Sequence, residues 1–291
     1  MLTFQNLYQT YQTITKDSST SNTTLGKLLI NDTNKNVCGL ADFTFLDDEW
    51  YASSVASQAP YRLPHNYQPN SLISIYVLQS STKYFPKEII STKDFDILSA
   101  VSSSASSPQY YSIFNNYISF YPLPSDTSWE IHLKYRQTVK EMTADNYITG
   151  TITATNNSRI ITGSGTTFTS AMEGRMISLP NGLWSEIQTY TNATSITLAR
   201  SYEGTTTSGA SYIIGDCPLI TDGFQEILIY KPLEHYFMIK GEEKRSVFYK
   251  NLYDNSLNLL KSRFTSRSSV NVFTSGINEV VNPNDYPSGL S

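Results

Sequence analysis

Leu2, Phe4, Leu7, Tyr8, Tyr11 and Ile14 recur at steps of three and four residues, which predicts an amphipathic helix over residues 2–16. A polar break from Asp17 to Asn22 follows. The series Leu25, Leu28, Leu29, Asn36, Val37 and Leu40 then predicts a second helix ending near Gly39. From Phe43 to Tyr51 the chain enters a sheet region. Prolines at 60, 64 and 69 hold the next stretch extended and remove ladder donors, and Ser71 to Leu78 reads as a buried strand with Lys83 to Pro86 as a short partner. Ser91 is placed to cap a brief helix running through Leu98, with Asp94 in its first turn. After a Ser-rich loop at 102–108, residues 110–114 and 117–121 are aromatic strands joined by Asn115-Asn116, a hairpin signal. Trp129, Ile131, Leu133 and Tyr135 alternate with Glu130, His132, Lys134 and Arg136, the pattern of a half-buried antiparallel strand.

Residues 149–216 break with this pattern. Short β-branched runs (Gly150 to Ala154, Arg159 to Phe168, Ser195 to Leu198, Ser208 to Ile214) are separated by Asn-Gly, Asn-Ala and Glu-Gly turns, which predicts a small meander or barrel spliced into the chain. Beyond it, Asp222 and Gln225 form a candidate capping box for a helix with Phe224, Ile227, Leu228 and Tyr230 on its apolar face and a kink at Pro232. A further helix spans about 242–264, with Phe248, Tyr249, Leu252, Tyr253, Leu257, Leu260 and Phe264 on one stripe. The fold class expected is α+β: an α-helical bundle with an antiparallel β-sheet region and an inserted small all-β module. Residues 1–149 together with 216–264 form the discontinuous core, 150–215 the inserted module and 265–291 an extended arm. The arm carries Arg267, Val270, Val272, Phe273, Ile277, Val280 and Val281 as scattered anchors that cannot build a core alone. Together with Phe264 they are the candidate subunit or partner interface.

Composition sharpens this. Charged residues are 16% against roughly a quarter in ordinary soluble domains, while aromatics reach 13% with 21 tyrosines. Surfaces buried between subunits are rich in aromatics and poor in charge, so the composition favours an oligomer over a monomer with many aromatic strands. The net charge of −4 argues against a protein that grips a nucleic-acid backbone along its length. That charge is uneven: residues 240–267 carry seven basic and three acidic side chains, leaving −8 elsewhere. No run approaches the ~18 apolar residues of a membrane span, and the N-terminus shows no secretory signal. Cys38 and Cys217 lack metal-site spacing and read as free buried thiols.

Chemistry-bearing motifs are scarce. His65, His132 and His235 fall on a loop, a strand and a helix, and there is no HExxH, Walker A or His/Cys cluster. Gly163-Ser-Gly165 resembles a fragment of a phosphate loop but lacks its third glycine and the helix that would supply dipole charge, so a tight strand corner is its expected role. Asp47, Asp48, Glu49, Glu130 and Glu186 are the carboxylates that a folded chain could bring together for glycoside hydrolysis. Trp184, Tyr190, Tyr202 and Tyr212 are either sugar-stacking or core aromatics of the module. An enzyme and a bound cofactor are not expected.

The element order resembles the head-to-tail adaptor (head-completion) proteins of tailed bacteriophages. The resemblance rests on the N-terminal helices, Tyr61-Arg-Leu-Pro64, Ile118-Ser-Phe-Tyr-Pro122, the strand ending Leu133-Lys-Tyr135 and the helix start Phe224-Gln-Glu-Ile-Leu-Ile-Tyr-Lys231. Thr162 to Phe168, Met172 to Arg175 and Ser195 to Leu198 resemble a β unit found in phage structural proteins. The resemblance implies a virion protein of the neck, made in the host cytoplasm. It implies a closed ring of identical subunits, about twelve, docked on the portal and meeting a downstream neck or tail protein. DNA would pass through the lumen without sequence-specific binding. The competing reading is a carbohydrate- or receptor-binding virion protein using the module's aromatics.

Overall fold

The computed structural model describes residues 1–101, 107–125 and 127–265. Helix α1 (Phe4–Thr15) opens on a reciprocal cap: the Thr3 hydroxyl accepts from the Asn6 N–H, and the Asn6 side chain accepts from the Thr3 N–H. Helix α2 (Thr20–Gly39) starts inside the expected polar break, because the Ser19 hydroxyl caps it by accepting from the Asn22 N–H. Its buried face differs from the leucine series. Leu28 is 63% exposed and Leu40 49%, while Gly26, Ile30, Asn31, Asn34, Val37 and Cys38 are buried. Close approach explains the difference, since a Cβ at Gly26 would stand 2.6 Å from two carbons of the Tyr11 ring.

The chain then forms β1 (Asp47–Ser53), β2 (Tyr61–Arg62), β3 (Tyr67–Gln79), β4 (Thr82–Tyr84), β5 (Lys87–Glu88), α3 (Thr92–Ser99), β6 (Tyr110–Phe114), β7 (Tyr117–Tyr121) and β8 (Trp129–Gln137). These strands make two four-stranded sheets, ordered β1-β8-β3-β4 and β2-β7-β6-β5. All pairings are antiparallel except β5 with β6. One buried cluster joins them, with Tyr61, Ile118 and Phe120 from one sheet and Ile75, Val77, Trp129, Ile131, Leu133 and Tyr135 from the other. The expected alternation along β8 is present. Asn115 and Asn116 both adopt positive φ, 47° and 64°, the geometry that lets a two-residue turn match the strand twist. Pro69 lies inside β3 where its pairing with β8 skips from Tyr67 to Leu72, so the missing donor costs no ladder bond. Ser91 caps α3 as expected. The Ser-rich loop lies, at 102–106, outside the described residues.

After β8, residues 138–146 have no regular structure. A seven-stranded sheet follows: β9 (Thr151–Ala154), β10 (Ile160–Ser164), β11 (Met176–Ser178), β12 (Trp184–Asn192), β13 (Ser195–Leu198), β14 (Thr207–Ala210) and β15 (Ile214–Gly215). In the order β14-β9-β10-β13-β12-β11-β15 it curls as a half-barrel around Ile152, Ile161, Phe168, Ile187, Ile196, Tyr202 and Tyr212. The entering and leaving chains meet, because Tyr147 and Ile214 exchange backbone hydrogen bonds of 2.8 and 2.9 Å.

Helix α4 (Ile227–Ile239) begins four residues later than a capping box at Asp222 implied. The two cap residues have other partners: Asp222 pairs with the Met1 ammonium at 3.0 Å, and Gln225 accepts from the Leu2 N–H while donating to the Ile220 carbonyl. The helix runs on through Pro232. Helix α5 (Glu243–Phe264) follows a turn at Gly241 (φ 73°) and packs mainly on α4. With one main neighbour, its apolar stripe is only partly covered. Leu260 is buried, Tyr249, Leu252, Tyr253, Leu257 and Phe264 are half-buried, and Phe248 is 56% exposed. Helices α1, α2, α4 and α5 share a third cluster that includes Phe4, Leu7, Tyr11, Ile30, Val37, Leu228, Leu233, Phe237 and Leu260.

Candidate functional site

Asp216 is bonded from several sides where the half-barrel, the irregular segment and α1 meet. Its Oδ1 lies 2.8 Å from Arg175 Nε, its Oδ2 accepts from the Thr143 and Ala144 N–H groups at 2.8 and 2.9 Å, and its carbonyl accepts from Phe4 N–H at 2.7 Å. Arg175 Nη2 also donates to the Asp145 carbonyl at 2.7 Å. Both side chains are nearly buried, so the pair is desolvated and its partners are not readily exchanged for water. Gly215 completes the seam: a Cβ there would stand 2.6 Å from Thr3 Cγ2 and 2.7 Å from Asn146 Oδ1.

The irregular segment is held from both sides. Asn31 of α2 donates to the Met142 carbonyl at 2.8 Å and accepts from the Met142 N–H at 3.0 Å, standing in for a strand. The Gln5 side chain accepts from the Asn146 N–H. Asp145 accepts from the Tyr8 hydroxyl at 2.8 Å and pairs with Lys27 at 3.2 Å, while the Lys27 ammonium stands 4.1 Å from the Tyr8 ring centre. Burial, reinforced by the Asp145 hydrogen bond, pushes the Tyr8 phenol up to about 12. This junction bonds α1, the irregular segment and the half-barrel to one another.

Beside it lies a cleft of about 690 Å3 lined by His65, Gln137, Lys140, Glu173, Glu186 and Cys217 among others. Desolvation there, with the charge of Asp48 second, raises the Glu186 carboxyl above its usual range. Burial pushes the Cys217 thiol up to about 12 and Cys38 likewise, which suppresses the thiolate form. Both cysteines are free, and Cys217 is half-buried rather than buried.

The structure divides the carboxylates that the sequence offered as a set into smaller groups, Glu49 with Glu130 at His132 and Asp48 within electrostatic reach of Glu186. Asp47 pairs with Arg136 at 3.4 Å, and Asp48 accepts from Asn66 and the Tyr135 hydroxyl. Glu49 and Glu130 flank His132, at 3.6 and 3.4 Å. Of the three histidines, His65 faces the cleft, His132 stands on the outer face of the β1-β8-β3-β4 sheet and His235 lies on α4. No group of three or more His, Cys, Asp or Glu side chains is placed to hold a metal ion among the described residues. Of the module aromatics, Tyr202 (1% exposed) and Tyr212 (4%) are core residues, and Trp184 and Tyr190 are half-buried. Core packing is therefore the role of the first two, because a buried ring cannot stack on a sugar.

Sequence reasoning missed a row of rings on that outer face. His132 stacks on Tyr76 at 4.6 Å and 9°, Tyr51 lies 6.0 Å from it at 29°, and Phe85 follows Tyr76 at 6.1 Å. Lys83 sits 4.4 Å from the Tyr76 ring. Cross-strand register creates the row, aligning Tyr51 with His132 and His132 with Tyr76. Among the expected interface residues, Phe264 packs edge-on against Phe45 and Phe224, at 6.0 and 5.7 Å. Arg267, Val270, Val272, Phe273, Ile277, Val280 and Val281 lie outside the described residues.

No helix of the described residues is long and apolar enough to cross a membrane. No curated protein matches the sequence. A family model described as SU10 adaptor protein matches residues 2–162, from α1 through both four-stranded sheets and the junction segment into β10. The match covers more than half of the chain, and the protein belongs to the SU10 adaptor family, a family of bacteriophage structural adaptors.

Proposed function

We propose that this adaptor assembles as a closed ring of identical subunits at the neck, docked on the portal, with the DNA path through its lumen and a downstream neck or tail protein on its far side. Family membership carries the reading. The surface supports it: at the α4–α5 turn Met238, Ile239, Val247 and Phe248 are 58%, 62%, 49% and 56% exposed, a concentration of apolar side chains that marks a contact surface. A heterologous ring closes when each copy offers two complementary patches, and a net-basic stretch at 240–267 in an otherwise net-acidic chain suits such a pairing. In this reading residues 1–149 with 216–264 form the adaptor core around a helical bundle. Residues 150–215 are an insertion whose ends meet at Tyr147 and Ile214, and the arm after Phe264 binds a neighbour or the portal.

Negative-stain imaging of the purified chain, alone and mixed with the portal of the same phage, tests this. Rings seen alone or on portals support it, and a chain that neither self-associates nor binds portal at any concentration overturns it. The receptor-binding alternative loses two of its four rings with the burial of Tyr202 and Tyr212, which leaves it only the half-buried Trp184 and Tyr190.

A further inference from the structure

Proteins keep sheet edges short because an unpaired strand recruits any extended chain. This chain follows the rule at five edges and departs from it at one. The outer strands β2, β4, β5, β14 and β15 have two to four residues each, but β1 has seven, Asp47–Ser53, and pairs with β8 alone among the described residues. It carries neither proline nor lysine. One N–H on it, that of Glu49, is occupied by the Asp48 carboxylate at 2.9 Å. The ring row Phe85, Tyr76, His132, Tyr51 ends on this strand, leaving Tyr51 64% exposed with no ring stacked beyond it among the described residues.

We propose that β1 is the acceptor edge for the C-terminal arm of a neighbouring copy, whose residues 267–275 add as a strand beside it. This rests on the ring reading above. Charge fits: Asp42 and Asp47 share Arg136, Asp48 and Glu49 pair with no lysine or arginine among the described residues, and the arm and its approach carry Lys261, Arg263 and Arg267. Sequence fits as well, since Val270, Val272 and Thr274 are β-branched and alternate, the arm has no proline before Pro283, and Phe273 supplies a ring. Direction favours a neighbour over the chain's own arm. Thr265, the last described residue, forms an antiparallel bridge with Phe43, and an arm continuing in that register would run away from β1 rather than along it. The 26 residues after Thr265 reach on the order of 80 Å when extended, enough to cross a subunit boundary.

The test mixes two full-length variants, Tyr51→Cys and Val272→Cys, distinguished by a size tag, and oxidises them under assembly conditions. A disulfide-linked heterodimer is expected, strongest at alternate arm positions, and Tyr51→Glu should raise the concentration needed for assembly about tenfold. Equal cross-linking along the arm, no heterodimer, or an intramolecular link in the Tyr51→Cys/Val272→Cys double variant overturns the proposal. Rings that form without the heterodimer sink this proposal and leave the ring reading intact. A heterodimer link that forms while imaging shows no ring does the reverse.

Discussion

Arg175→Met is the most direct challenge to the junction. The substitution keeps the length and apolar stem of the side chain but removes the charge facing Asp216 and the donor to the Asp145 carbonyl. Breaking a buried pair by deleting one member costs roughly 3 to 5 kcal/mol, because the remaining charge stays desolvated. Asp216 keeps two backbone N–H donors on Oδ2, so the lower end, about 3 kcal/mol, is expected here. For a chain of this size that corresponds to roughly 6 to 12 °C in the melting midpoint. Scanning calorimetry is the suitable assay, because three separate buried clusters allow more than one transition and only the one reporting the junction should move. Adding Asp216→Asn removes the stranded charge, so the double variant should recover at least about 1 kcal/mol relative to additivity. A shift below about 2 °C in every transition, or additive single effects within ~0.5 kcal/mol, would mean the junction is held by its backbone bonds and the ion pair is incidental.

Gly215→Ala should destabilise by about 1 to 3 kcal/mol, since its Cβ meets Thr3 and Asn146, and an unchanged thermal melt would contradict that seam. Tyr8 has its pKa raised from 10.0 to about 12 in the folded chain, so the stability it contributes is complete below pH 10 and lost as pH rises towards 12; Tyr8→Phe should flatten the decline of the melting midpoint above pH 10. Leu252→Ala should cost about 1 to 2 kcal/mol by denaturant melt, less than for a buried leucine, because its side chain is half-buried on α5. Replacing residues 151–214 by a short Gly/Ser linker should leave the helical circular-dichroism signal and a soluble chain, and aggregation would make the half-barrel part of the parent core.

Elements with a local cause were legible in the sequence. The Asn115-Asn116 hairpin, the alternation of β8 and the Ser91 cap each depend on a few consecutive residues. What escaped depends on distant partners. The buried face of α2 is set by Tyr11 pressing on Gly26 and by Asn31 reaching Met142, so its leucines mislead any reading based on apolar spacing. Asp222 and Gln225 fit a capping box locally but are taken by Met1 and Leu2, more than two hundred positions away. The ring row on the outer sheet was hidden for the same reason, since Tyr51, Tyr76 and His132 become neighbours only through register. At the junction, Arg175 and Asp216 were visible as charges, with nothing in either neighbourhood to mark them as a pair.

The irregular stretch before the half-barrel also divides the genetic constraint unusually. Its shape is imposed by Asn31, Gln5 and Asp216 acting on its main-chain groups, so the letters at Thr143 and Ala144 carry little of the information that places them. A saturation library should find those two positions permissive and the three remote ones strict. Related chains could therefore diverge in the connecting segment, and exchange what is attached beyond it, while keeping the same angle of attachment.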